Sequence, residues 1–292
     1  MIGTRTQTLL SGLALVGSVT FVLAGCAPAV DEGLPPGVEV SIHQNRPDTE
    51  DRRLQVRISN GTETPLTVTS LAFSSPDFAE PASYPKAPST IRPGGVLDLP
   101  VALPEPVCGA GDGDPEVELR FEHGAGHPRA AIVVPEDRLQ QLDDINERDC
   151  LGTSIAAVAA ISEPEAIRVE PVAGNLVAFV DLAVVPTGAS GTLTIHRVDD
   201  TVLFGLFDRS STTPATSLPL ELTVAADDPP TTLTIPLVPG RCDAHATAED
   251  KRGTLLPLRI EVGEFSGIHY FALSDDLKGE LYTYLGRACA TR

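Results

Sequence analysis

Cys242-Asp243-Ala244-His245 sets a thiol and an imidazole three residues apart, a spacing used in metal sites. No second ligand pair lies near it in sequence, and a cysteine committed to a disulfide is no thiolate ligand. His123 and His127 flank Gly124-Ala125-Gly126 at the tip of an expected hairpin, where two imidazoles can face one ion; the glycines leave the pair unorganised, so a solvated turn accounts for them. Asp112, Asp114 and Glu116 alternate like the opening of a calcium loop. The sixth position is Val117 instead of the required glycine, and the twelfth is His123 instead of glutamate, so the EF-hand pattern fails.

Nucleophilic catalysis is no better supplied. Ser190 in Gly188-Ala189-Ser190-Gly191 lacks the flanking glycine of a nucleophile elbow, and no Ser-x-x-Lys, His-Glu-x-x-His or phosphate-loop pattern occurs. The acid pairs Asp143-Asp144, Asp199-Asp200, Asp227-Asp228 and Asp275-Asp276 are adjacent in sequence, and adjacent side chains diverge on a helix or strand. The densest polar stretch is Arg241 to Arg252, and Asp243, His245 and Glu249 within it are the first place to look for binding. No catalytic residue, metal or cofactor is assigned.

The fifth cysteine carries a different chemistry. Met1 to Thr8 holds Arg5 as its only charged side chain, and an uncharged, mostly apolar run then leads to Leu23-Ala24-Gly25-Cys26. A charged start, an apolar stretch and small residues at the end are the layout of a secretory signal. The stretch is too short and too interrupted, by Ser11, Gly12, Gly17, Ser18 and Thr20, for a spanning helix of about twenty apolar residues. The Leu-Ala-Gly-Cys tetrad resembles the lipobox of bacterial lipoproteins. That resemblance implies a signal peptide over 1–25, cleavage between Gly25 and Cys26, lipid on the Cys26 thiol, and a membrane as partner through that anchor. At about 0.8 kcal/mol per buried methylene, two or three acyl chains hold a protein essentially permanently.

The elements behind these candidates are short. The formal charge is −19, and losing residues 1–25 removes one arginine and no acid. Nucleic acid and anionic head groups are poor partners for such a chain. The absence of Trp, with 26 Pro and 25 Gly, suits short strands and turns, so the expected class is mostly β. Residues 26–37, rich in proline, read as a flexible tether of about 3.1 Å per residue where polyproline-like.

Beyond the tether, a unit repeats. Val38–His43, Leu54–Ile58, Leu66–Phe73, Val96–Leu103, Val117–Glu122 and Ala130–Val134 are strand-like, with Cys108 and Cys150 set among them. Leu176–Val185, Leu193–Val198, Val202–Phe207, Leu218–Val224, Thr231–Leu237, Leu255–Val262 and Ile268–Leu273 follow, with Cys242 and Cys289 at matching places. Pro135-Glu136-Asp137 opens an expected helix with Leu139, Leu142 and Ile145 as its stripe, and Ser274 caps a second carrying Leu277, Leu281, Tyr284 and Leu285. The expectation is therefore two tandem β-sandwich domains, 38–150 and 151–292, each ending in a short α-helix and resembling immunoglobulin-like domains. Matching positions pair Cys108 with Cys150 and Cys242 with Cys289.

Sandwiches on a lipid tether display loops without needing chemistry. The expected function is that of an extracytoplasmic, membrane-anchored, non-enzymatic module for a protein or cell-wall partner. The competing readings are small-solute or metal binding between the domains and an enzyme centred near His245. Lipid attachment is the most direct to check: a Cys26→Ala chain should incorporate no radioactive fatty acid, and label retained on it would exclude Cys26 as the acceptor.

Overall fold

Strand alternation and one helix with two apolar faces organise the chain. The computed structural model describes residues 33–49, 51–109, 113–211, 213–243, 245, 248 and 253–290. Residues 1–32, including the signal segment, Gly25 and Cys26, lie outside them. The protein is mostly β, in several antiparallel sheets with a sandwich-like arrangement of buried faces.

In the first half, β1 (Val38–His43), β2 (Arg53–Asn60) and β6 (Gly95–Ala102) form a sheet in the order β1-β2-β6. The other sheet has the order β4-β3-β7-β8, built from β3 (Leu66–Ser74), β4 (Ala82–Ser83), β7 (Glu116–His123) and β8 (Arg129–Val133), with β5 (Ser89–Ile91) also on β3. Period-two alternation turns Val40, Ile42, Leu54, Val56, Ile58 and Leu99 from one sheet, and Val68, Phe73, Leu119 and Phe121 from the other, into a single core.

The second half uses β9 (Ala159–Ser162), β10 (Arg168–Val172), β11 (Asn175–Pro186), β12 (Thr192–Asp199), β13 (Phe204–Leu206), β14 (Ser217–Ala225), β15 (Thr231–Pro239), β16 (Leu255–Val262) and β17 (Phe265–Ala272). Its sheets run β10-β11-β15-β13, with β9 also on β11, and β14-β12-β16-β17. The pair β2–β6 thus has a counterpart in β11–β15, and the row β3-β7-β8 in β12-β16-β17.

Both expected disulfides are present, Cys108–Cys150 and Cys242–Cys289. Each ties the loop after the sixth or fifteenth strand to a helix. By loop entropy each contributes at most about 4 kcal/mol.

The first helix departs from expectation at both ends, and the end of the tether meets the first core. The helix before Cys150 does not begin at Pro135; α1 spans Gln141–Val158, and Leu139 is 70% exposed. The segment ahead of it instead covers the edge of β1, where Ile42 N–H donates to Glu136 O at 2.9 Å and Glu136 N–H to Val40 O at 3.0 Å. An edge strand with unpaired backbone groups is a stronger demand than an earlier helix start. The division between 150 and 151 also falls inside α1, so the first helix does not end one half but enters both. The apolar run from Ile155 to Ile161 is helix up to Val158 and strand only from Ala159. Finally, the end of the tether is docked: Leu34 packs on the first core, and Gly37 O accepts from Gly61 N–H at 2.8 Å. That approach requires glycine at 61, since a Cβ there would lie 2.7 Å from Gly37 O.

Helix α1 has a reason to continue past Cys150. Leu142 and Ile145 belong to the first core, and Leu151, Ile155 and Val158 to the second. At about 100° per residue these two stripes lie on roughly opposite sides of one helix. Polar contacts clamp the N-terminal part. Gln44 N–H donates to Gln141 Oε1 at 3.0 Å, while Gln141 Nε2 donates back to Gln44 O at 3.2 Å, so the side-chain amide acts as a strand partner. Arg148 donates to Gln44 Oε1, and Asn146 to Asp77 O. Arg52, held at φ 48°, donates from Nε to Asp149 Oδ2 at 3.0 Å and from Nη2 to Pro104 O at 2.6 Å. Asp149 retains only 7% side-chain exposure, so the charge it carries needs that partner.

The second helix, α2 (Asp275–Cys289), starts where expected, with Ser274 Oγ accepting from Leu277 N–H. Tyr284 is 2% exposed and donates its hydroxyl toward Leu176 O at 2.8 Å and Leu237 O at 3.0 Å, joining the helix to β11 and β15. Its ring stacks on Phe204.

Gly152 lies within α1, where a Cβ would meet no atom within 4 Å. Gly152→Ala should therefore stabilise the protein by about 0.5–1 kcal/mol, read as a higher urea midpoint at unchanged slope. A lower midpoint would contradict a helical backbone at this position.

Candidate functional site

Residues expected to carry chemistry are distributed separately. Cys242 is bonded to Cys289 and supplies no thiolate. Asp243 and His245 are exposed, with Asp243 Oδ2 accepting from Arg241 Nε at 3.1 Å; Glu249 and most of the Arg241–Arg252 stretch lie outside the described residues. His123 is not paired with His127, for its Nε2 contacts Thr62 Oγ1 at 3.0 Å and Thr64 Oγ1, while His127 is exposed in the turn. Asp112 is likewise outside the described residues. Ser190 is exposed in a turn between Gly188 and Gly191, both at positive φ. Among the described residues no group of three or more His, Cys, Asp or Glu side chains is placed to hold a metal ion.

What the fold does assemble are charged rows on the outer faces of the sheets. On β1-β2-β6, Arg57 donates from Nε and Nη2 to Asp98 at 2.7 and 2.9 Å, with His43 Nε2 3.8 Å away. The Arg57 hydrogen bond holds the Asp98 carboxyl below its ordinary value, against the opposing effect of burial. On β10-β11-β15, Arg168 lies 4.3 Å over the Phe179 ring and also pairs with Glu170 and Asp181. Asp181 in turn accepts from Thr234 Oγ1 at 2.6 Å.

The most structured row crosses β14-β12-β16. The pairing of β12 slips between Ile195 and Arg197, so His196 is the extra residue of a bulge. Its ring stands between Glu221 Oε2 at 3.6 Å and Glu261 Oε2 at 3.3 Å, and is 43% exposed. Glu221 itself has φ 46°. The equivalent strand β3 slips in the same way between Val68 and Ser70, where Thr69 donates its hydroxyl to Arg120 O at 3.0 Å. Toward the end of β12, Asp199 accepts from Arg197 Nε at 2.9 Å and Arg259 Nε at 3.0 Å. Burial works to raise the Asp199 carboxyl, but the hydrogen bonds from Arg259 and Arg197 outweigh it and hold the group below its usual value. Burial and the Asp199 charge push Asp200 the other way. These rows can meet a polar partner with charges already fixed in place. Alternation alone puts their members on outer faces, but the cross-strand register that joins Glu221, His196 and Glu261 has no signal in the sequence.

No family model and no curated protein matches the sequence. Among solved structures, it is similar to red sea bream transglutaminase at 9% identity and a TM-score of 0.23, covering 83% of this chain and 32% of that one. It is also similar to a BSP domain of a biofilm associated protein at 9% identity and a TM-score of 0.23, covering 85% of this chain and 59% of the other. The chain thus spans less than two thirds of both. A third similarity, to the Amycolatopsis orientalis exo-chitosanase CsxA, has 12% identity and a TM-score of 0.19, covering 79% and 26% respectively. At these scores none carries an argument about what the chain does.

One partly buried group has a measurable consequence. His269, on β17 opposite Leu258, faces the core side of its sheet, and burial holds its imidazole below the ordinary 6.5. As pH falls through 6.5 the unfolded chain takes up this proton before the folded one does, so stability is lost until the folded imidazole also protonates. His269→Gln should therefore lose less melting temperature between neutral and mildly acidic pH than the native chain. Equal losses would show that His269 does not titrate differently on folding.

Proposed function

We propose that the protein is an extracytoplasmic lipoprotein, anchored through Cys26 and presenting two tandem immunoglobulin-like units to a protein or cell-wall partner. The immunoglobulin-like reading is supported by the recurring topology: a core pair of strands on one side, and a strand row with an outer edge strand on the other, in each half. Tether, first unit over 38–150 and second over 151–292 remain the proposed organisation, with the junction carried inside α1 and not in a loop.

The observation that carries the export reading is the pair of disulfides. Cys108 and Cys242 are exposed at the surface, and bonds of that kind persist in oxidising compartments. The lipobox-like tetrad agrees with it independently. Among the described residues no helix is long and apolar enough to cross a membrane.

The interaction reading rests on the outer faces. Arginines and carboxylates there are fixed in ion pairs within and across strands, as in the Arg197–Asp199–Arg259 and Arg168–Asp181 rows, which fits recognition of a polar surface more than turnover of a substrate. Two exposed positions test it: p-benzoylphenylalanine at Glu118, on the outer face of β7, and at Glu221, on β14. Irradiation of intact cells should give a discrete adduct with one protein or with cell-wall material from at least one position. Absence of any adduct from both, together with failure of the protein to sediment with isolated cell wall, would overturn this function.

A further inference from the structure

We infer that α1 is a phase-setting joint: the angular offset between its two apolar stripes fixes how the second half is oriented on the first. Cys150 and Leu151 are consecutive residues with opposite allegiances. Cys150 is bonded to Cys108 and Asp149 to Arg52, both in the first half, whereas Leu151 begins the stripe that enters the second core. A flexible linker at this point would let two sandwiches rotate independently. Here the backbone passes through in one unbroken helix of 18 residues.

The clamp on the first half is redundant. Leu142 and Ile145 in the core, the reciprocal amide pair between Gln141 and Gln44, Asn146 on Asp77 O, the Arg52–Asp149 pair and the disulfide all act within the first three turns. On the other side Ile155 and Val158 are 4% exposed, and Leu151 Cδ2 would lie 3.2 Å from a Cβ built at Gly267 of β17, so the helix sits close on that strand. With both ends embedded, rotation of one half about the other requires breaking one of the two sets of contacts or bending the helix between Cys150 and Leu151. Interiors and packed helices resist both. The inference concerns the joint alone and holds whichever partner the protein meets.

The test uses insertion. Spin labels are attached to p-acetylphenylalanine at Glu122 on β7 and Thr232 on β15, both exposed, in the full chain held in detergent, and distances are read by double electron–electron resonance. The native chain should give one narrow distance peak. One alanine inserted between Cys150 and Leu151 advances the second stripe by about 100° and 1.5 Å, and should move the whole peak, still narrow, by on the order of 10 Å. Four inserted alanines turn it by about 400°, close to a full revolution, and should bring the peak back toward its native position apart from about 6 Å of added length. Gly152→Pro, which removes a helix hydrogen bond at the junction, should broaden the peak. Each variant is accepted as folded when digestion returns both native disulfide-linked peptides. A broad distribution in the native chain, a peak that one alanine leaves unmoved, or a narrow unshifted peak in Gly152→Pro would overturn the inference.

Discussion

Helix α1 has to bury apolar side chains on two opposite sides, and most of the architecture follows from that demand. A helix packed on one sheet keeps its other face in water. In α1 the face that is wet beside the first half is the face that turns into the second core a few residues later. Neither half can be removed without exposing one stripe, so the two cores are linked through the same 18 residues. The clamp of Gln141, Asn146, Arg148 and Asp149 supplies the direction that apolar burial lacks, because hydrogen bonds and ion pairs fail when the helix slides or rotates, whereas apolar contacts degrade gradually.

The same feature decides what was readable in the sequence. Strands with one wet face alternate cleanly, so β1 and β16 were legible to the residue, and β7 and β12 nearly so. The disulfide partners were legible because the repeat places four cysteines in equivalent pairs. Helix α1 was only half legible: its two stripes are roughly antiphase and cancel over the full length, leaving only a short helix before Cys150. Helix α2 has one stripe and one serine cap, and its start at Asp275 was readable from both. Short strands such as β4 and β5, with two and three residues, carry too few positions for a period to show.

The candidate sites divided along a similar line. Sequence neighbours that look like ligands, Cys242 with His245 or His123 with His127, owe their proximity to the chain, and folding gives each another partner or leaves it in water. The rows on the sheets owe theirs to register. Glu221, His196 and Glu261 are spread over 65 residues between His196 and Glu261 alone, and meet because β12 carries one extra residue against β16. A bulge cannot be located from alternation unless the residues on both sides are strongly apolar, and His196 sits between Ile195 and the charged Arg197. The face that presents polar groups is therefore set by long-range pairing, the least local part of the fold.

The two halves answer one problem by different means. Each half must hold a helix that would be marginal alone, and each adds a covalent tie from the loop that follows the sixth or fifteenth strand. In α2 that tie is at the last residue, and the body of the helix is fixed by Leu277, Leu281 and Leu285 with Tyr284 bridging two strand carbonyls. A buried hydroxyl with two acceptors costs little to hide and is specific in angle, so one apolar face suffices. In α1 the tie is in the middle, because the helix beyond Cys150 is committed elsewhere. The first half then cannot use a long apolar stripe of its own, and polar contacts from Gln44, Arg52 and Asp77 replace the missing turns. The strained φ of Arg52 fits this account: the guanidinium must reach Asp149 and Pro104 together, and the contacts it makes there offset a backbone conformation that costs about 1 kcal/mol or more for a side-chain-bearing residue.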